Sequence, residues 1–347
     1  MKSPVYVLLV TVAIIKSSEA HDQAAEAITN LCKEDDYLQA VTKHLSGLLS
    51  PVTSAIAELK KFRKLRQIVE RQATNRDSRC LYAALIAKAT AEITDAETQL
   101  QSDRITINNA LFLIERQREI LSAAHKASKL QITDASSGHD GSGKGGNGVE
   151  LKFETKMGTT EACEKTRAWT EPNYGTKKPA VAQLTKLKLT KIEDIHKLTQ
   201  KVKNSLTSMT SGCQTTANLQ GLNAALANCN VGGSPAAAWT HTANTEHTSS
   251  AETHIFKDDA DTTTCHSSLD NVDASKPLHE KLTNSLCNSL KVKPHVPNTL
   301  KTQKGETLAN DDIVLLSVKN CNPRFQTIAD VTNPDQTKEL KAYITNP

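Results

Sequence analysis

The chain has 347 residues, a net charge of +4, and a composition of 38% hydrophobic and only 3% aromatic residues. A near-balanced charge with no basic stripe of interleaved aromatics excludes an ordinary nucleic-acid binder, and so few rings point to a narrow core of Ala, Leu and Ile. The length would allow two ordinary domains, but the helical patterns run too continuously for that division.

Met1 and Lys2 precede an apolar run from Val5 to Ile15 and the small residues Ser18 and Ala20. This is the pattern of a secretory signal peptide over residues 1–20, with cleavage after Ala20. The run is too short to span a bilayer, which takes about 20 residues. Eight cysteines follow: Cys32, Cys80, Cys163, Cys213, Cys229, Cys265, Cys287 and Cys321. An even number behind a signal peptide predicts disulfides, and the spacing leaves their pairing open.

From Asp22 to Ser50, Ala25, Ile28, Leu31, Leu38, Val41, Leu45 and Leu48 recur at helical spacing, with a kink or short break expected at Gly47 and Pro51. Val52, Ile56, Leu59, Phe62, Leu65 and Val69 then form a cleaner apolar face. Lys60, Lys61, Arg63, Lys64 and Arg66 around it read as a solvated face rather than a binding patch. Asn75-Arg-Asp-Ser78 supplies turn and N-cap chemistry.

The dominant stretch follows, from Cys80 to about Leu130. Ile86, Ile93, Leu100, Ile107, Ile114 and Leu121 stand seven apart without a slip. Three residues after each come Ala89, Ala96, Asp103, Ala110, Gln117 and Ala124, a second seam of mostly small residues. Such heptads specify a long helix packed closely on a partner, and no Gly or Pro interrupts the chain between Pro51 and Gly138. The short connection makes the two long helices antiparallel, and the six large seam residues are the predicted core of that hairpin and of any dimer built on it.

Gly138–Lys144 has the spacing of a phosphate loop, but Gly145 stands where the metal-binding Ser or Thr belongs and a helix precedes instead of a strand. A flexible surface loop is the better account, running into a short strand at Val149–Phe153. Between Thr155 and Lys178, Cys163 and Trp169 mark an irregular stretch. Pro179 is expected to open a third amphipathic helix through Leu184, Leu187, Ile195, Leu198, Val202, Leu206 and Met209. Residues 212–275, rich in Thr and carrying Cys213, Cys229 and Cys265, read as a disulfide-pinned lobe of loops and short strands. Leu278, Leu282 and Leu286 predict a short helix; Asp311-Asp312 caps another segment at Ile313–Val318. Asp335–Ile344 resembles the first turns of a helix.

His241, His247, His254, Cys265 and His266 fit no compact zinc pattern, and no nucleophile, zinc-protease or calcium-loop motif occurs. The expectation is therefore no catalytic residue, no metal, no cofactor and no enzyme. The fold class expected is mainly α: a long antiparallel helical hairpin, a coiled-coil rod, with a disulfide-pinned loop and short-strand lobe.

A signal peptide, an amphipathic segment with an early cysteine (Ile28-Thr-Asn-Leu31-Cys32), two long Ala-rich heptad helices, a Gly/Ser-rich loop and a Thr-rich lobe with cysteines resemble together the N-terminal domain of a variant surface glycoprotein of African trypanosomes, over residues 21–347. The resemblance implies a homodimer on the coiled-coil hairpin, standing among neighbouring coat molecules on the plasma membrane, and exposed to host antibodies. It implies a glycosylphosphatidylinositol lipid anchor, which is not encoded in this chain along with the small C-terminal domain, and the secretory pathway to the cell surface. It implies a shield that evades antibodies by antigenic variation; from their composition, loops such as Ser136–Gly148 and Asn230–Thr264 are where antibody contacts are expected. A related surface receptor for a host serum protein is the alternative. No N-x-Ser/Thr sequon occurs, although the family commonly carries N-linked glycan.

Overall fold

The structure, a computed structural model, describes residues 21–134, 153–158, 177–198, 201–209, 211–214, 219–229, 236–242 and 252–346. The signal segment, the Gly/Ser-rich loop, the phosphate-loop look-alike, Cys163, Trp169 and His247 lie outside them. So do 230–235 and 243–251 of the second expected antibody-facing loop.

The chain opens with a single turn, α1 (Gln23–Glu26), and then α2 (Leu31–Leu48) and α3 (Ser50–Gln72). Asn30 caps α2 by accepting from Lys33 N at 2.9 Å. Pro51 has no N–H to give to the Gly47 carbonyl four residues back, and the Leu49 N–H takes that carbonyl instead. The predicted break therefore falls at Leu49. A three-residue connection, with Asn75 Oδ1 accepting from Asp77 N at 2.8 Å, reverses the chain into α4 (Arg76–Ala127). At about 1.5 Å per residue, this 52-residue helix is about 78 Å long. It runs back along α3 and then α2.

Strands are short. Among the described residues they form three two-stranded antiparallel ribbons. β1 (Leu130–Asp134) pairs with β2 (Phe153–Met157), β3 (Lys186–Lys188) with β6 (Glu252–His254), and β4 (Lys201–Thr207) with β5 (Ala236–Thr242). The short strand expected at Val149–Phe153 thus begins at Phe153. A short α5 (Leu222–Leu226) precedes β5. The remaining helices are α6 (Leu278–Leu290), α7 (Gly305–Leu308), α8 (Asp312–Cys321) and α9 (Pro334–Thr345). Asp311 caps α8 by accepting from Ile313 N and Val314 N, and Asn333 caps α9. The last helix runs to Thr345, with Asn346 as its C-cap.

The third long helix expected from Pro179 does not form. Residues 181–183 and 192–198 are 3₁₀ turns, and 186–188 and 201–207 are strands. In Lys186-Leu187-Lys188-Leu189 both leucines are 1% exposed and both lysines less buried, a two-residue alternation that a strand satisfies and a helix does not. Pairing with β6, far along the chain, decides the matter.

Three apolar clusters result, and α4 enters all of them. Ala84 near its start packs with Leu315, Val318, Phe325 and Leu340 of the C-terminal helices. Ala89, Ile93, Ala96 and Leu100 pack against Val52, Ile56, Leu59 and Phe62 of α3. Ile107, Ala110, Ile114, Leu121 and Ala124 meet α1, α2, α6 and the β3 segment in the largest cluster. Leu65, grouped with the α3 face by its spacing, is 53% exposed: the apolar seam of α3 ends at Phe62.

Candidate functional site

The geometry of the rod is set along α4. Of the six large heptad residues, Ile93, Leu100, Ile107, Ile114 and Leu121 are buried and Ile86 is half-buried. The small seam is buried throughout, including its two polar members. Asp103 accepts from Gln99 Nε2 at 2.8 Å. Gln117, with no exposed surface, donates through Nε2 to Glu34 Oε1 at 2.9 Å and to the Thr190 carbonyl at 2.8 Å.

Glu34 is the centre of a buried clamp. Thr190 donates to it from both its backbone N–H, at 3.0 Å, and its hydroxyl, at 2.5 Å. Burial raises the Glu34 carboxyl above its ordinary range, against the hydrogen bonds from Thr190 and Gln117 that pull it down. Next to it Arg118 Nε pairs with Asp35 at 2.7 Å, and its Nη1 with Glu115 at 2.8 Å. Asp22 closes the same end by accepting from Tyr37 Oη at 2.6 Å and from Ala180 N at 2.8 Å. These contacts join α2, α4 and the chain on either side of β3. Their only trace in the sequence is Gln117, a glutamine where the seam otherwise prefers alanine.

At the other end of α4 the fastening is different. Cys80 is bonded to Cys321, so the first turns of α4 and the last of α8 are covalently joined across 241 residues. Lys88 Nζ bridges Glu92 at 2.8 Å and Asp311, the α8 cap, at 2.7 Å, and Asn322 donates to Asp77 at 2.9 Å. Cys213 pairs with Cys229, and Cys265 with Cys287. Cys32 is also disulfide-bonded. Cys265 is therefore no thiolate ligand, and His254 stacks on His266 with ring centroids 5.3 Å apart.

The solvent side of α4 carries two large apolar residues one heptad apart, Ile105 at 63% exposure and Phe112 at 66%. Beside them a groove of about 440 Å³ lies between α4 and the α2–α3 junction, lined by Leu45, Leu49, Thr53, Arg104, Ile107 and Leu111. The basic residues of α3 are mostly solvated, as the sequence suggests; Lys60 pairs with Glu97 at 2.6 Å and Arg66 lies 4.9 Å over Phe62. Among the described residues, no helix is long and apolar enough to cross a membrane.

No family model matches this sequence, and no curated protein matches it either. Solved structures do match its fold. Variant surface glycoprotein VSGsur bound to suramin superposes with a TM-score of 0.66 over 93% of this chain and 85% of that one, at 16% identity. A second structure of variant surface glycoprotein VSGsur gives 0.63 over 94% and 100%, at 17% identity. A derivative of the same glycoprotein used for phasing gives 0.61 over 92% and 99%, at 18% identity. The chain thus has the fold of a variant surface glycoprotein, a helical rod held by disulfides with few and short strands.

Proposed function

We propose that this chain is the N-terminal domain of a variant surface glycoprotein of an African trypanosome, a coat protein of the cell surface that shields the plasma membrane and is exchanged to evade antibodies. The observation that carries this reading is the shared fold over more than nine-tenths of the chain, built on one helix about 78 Å long. A shield needs height with a narrow cross-section, and a rod of paired helices provides both. A coat that changes its face needs a core specified by binary pattern alone, as the alternation of Ile/Leu and Ala seams is, so that outward residues vary freely. The mature chain starts after Ala20, is exported through the secretory pathway, and reaches the membrane through a lipid anchor.

The scaffold works as a homodimer in this reading. Ile105 and Phe112 form an apolar stripe on the one long helix, and a second copy related by a two-fold axis would cover it. Phe112→Asp should leave the helical content and melting temperature of the monomer unchanged and convert a sedimenting dimer to monomer. A wild-type chain that is monomeric at micromolar concentration would remove this part of the reading.

The same stripe favours the second reading, a receptor for a host serum protein, because an exposed aromatic anchor suits a binding hot spot. One experiment separates the two. Cells that express the full-length gene should carry the protein over their whole surface, and antiserum against it should not recognise cells wearing a different coat. Saturable capture of one serum protein by the recombinant chain, lost in Phe112→Asp, would replace the coat reading with the receptor.

A further inference from the structure

His21 is 8% exposed, and its Nδ1 lies 2.8 Å from the hydroxyl of Thr185. That hydroxyl lies 2.5 Å from Asp259 Oδ1. A hydroxyl has one proton to give, and a carboxylate can only accept it. Thr185 therefore donates to Asp259 and accepts from His21, which places the imidazole proton on Nδ1. Nε2 is left as a bare lone pair, buried and without a hydrogen-bond partner.

That lone pair does not face apolar atoms. It is 3.7 Å from Glu26 Oε1, and Glu252 of β6 brings a second carboxylate, so that the three potential ligand atoms all lie within 4.8 Å of one another. Three acceptors turned to one point need a cation between them. Lys186 meets part of that need, its Nζ 3.3 Å from Glu26 Oε1 and 3.5 Å from Glu252 Oε1, and leaves Nε2 unpaired. Burial, and then Lys186, lower the pKa of His21, which keeps the ring neutral and its lone pair available.

We propose that His21, Glu26 and Glu252 form a zinc site, in which Lys186 is a placeholder that swings out when the metal enters. One imidazole and two carboxylates neutralise a divalent ion and match its preferred nitrogen and oxygen ligands. Donors around a tetrahedral zinc stand about 3.4 Å apart. The three groups must therefore close by roughly 1 Å, a movement open to the half-exposed side chain of Glu26 and the partly exposed one of Glu252. Thr185 and Asp259 act as the outer shell that fixes the tautomer and the ring plane. The bound ion would staple the start of the chain, through α1, to the β3–β6 ribbon.

The test is calorimetric titration of the untagged, chelator-stripped mature chain, beginning at His21, with zinc chloride, with zinc-edge absorption spectroscopy on the product. One zinc per chain is expected, with nitrogen and oxygen neighbours, no sulfur and a single imidazole. Glu252→Gln should weaken binding at least about tenfold, and Asp259→Asn about 10–100-fold. Lys186→Met, which removes the competing ammonium, should tighten it; this variant gains affinity and so cannot be mistaken for a misfolded one. No uptake at millimolar zinc by either wild type or Lys186→Met would overturn the site. So would equal affinity in wild type and Glu252→Gln, which would put the ion on other side chains.

Discussion

The two halves of α4 carry one heptad and are held in two different ways. From Cys80 to Leu100 the helix meets α3 through Ile and Ala against Val, Ile, Leu and Phe, and meets α8 through a disulfide, the Lys88–Asp311 ion pair and Ala84 against Leu315 and Val318. From Asp103 to Ala124 it meets α2, α6 and the β3 segment, and there the small seam admits a buried glutamine that reaches Glu34 and Thr190. The difference follows from what is packed. One helix on another needs no polar contact, because each satisfies its own backbone. Irregular chain such as 184–190 brings backbone groups that a purely apolar surface would leave unpaired, so the second half of the rod must supply polar partners.

Removing the covalent fastening should produce the largest effect. With a loop of 241 residues, Cys80→Ser with Cys321→Ser should cost about 3–5 kcal/mol. Amide exchange should rise first in α8 and α9 while α2 stays protected. Uniform loss of protection along α4 would mean that the two halves are one cooperative unit. Cavity formation comes next. Ile114→Ala, at a position with no exposed surface, should cost about 2–5 kcal/mol in urea unfolding, and the half-buried Ile86→Ala about 1–2 kcal/mol. Equal costs would deny that the Leu121 end is the better packed.

Glu34→Gln probes the polar clamp itself. The amide must turn one donor toward Thr190 or Gln117, which leaves a buried N–H unpaired, at about 1–3 kcal/mol. Because the folded state raises this carboxyl, the wild type holds its proton to higher pH than the unfolded chain does. Its extra stability is complete below the ordinary value of 4.5 and declines as pH rises through the raised one. The cost of the substitution should accordingly shrink between acid and neutral pH. A cost that grows with pH would show that the hydrogen bonds to the ionised form outweigh burial.

The smallest effect belongs to the exposed turn at Asp261, whose carboxyl is held down to about 2, first by Thr263 and then by Thr264. Its contribution is present above the ordinary 3.8 and lost as pH falls toward about 2. Asp261→Asn should speed exchange at the Thr263 and Thr264 amides and leave the global melting temperature unchanged.

What the sequence discloses divides along the same line. The helix pair, its turn at Asn75, the break beside Pro51, the capped helix after Asp311 and the helical turns from Asp335 are local, and periodicity with cap chemistry predicts them; the Asn333 cap is seen only in the structure. The segment after Pro179 fails for the opposite reason. Leu184, Leu187, Ile195 and Leu198 satisfy a helical period by coincidence, while the partner that makes 186–188 a strand is β6. The zinc ligands are equally hidden: His21 and Glu26 are neighbours in sequence, but Glu252 comes to them only through that ribbon. Gln117 is visible as an irregularity in an alanine seam, but nothing local says that Glu34 is what it meets.

The Cys80–Cys321 bond gives the molecule a tolerance to cutting. A protease that clips the exposed turn at Lys257–Ala260 would divide the chain into two polypeptides, one keeping Cys80 and the other Cys321. The halves would remain one particle, with α8 still tied to the first turns of α4, and would part on a gel only after reduction.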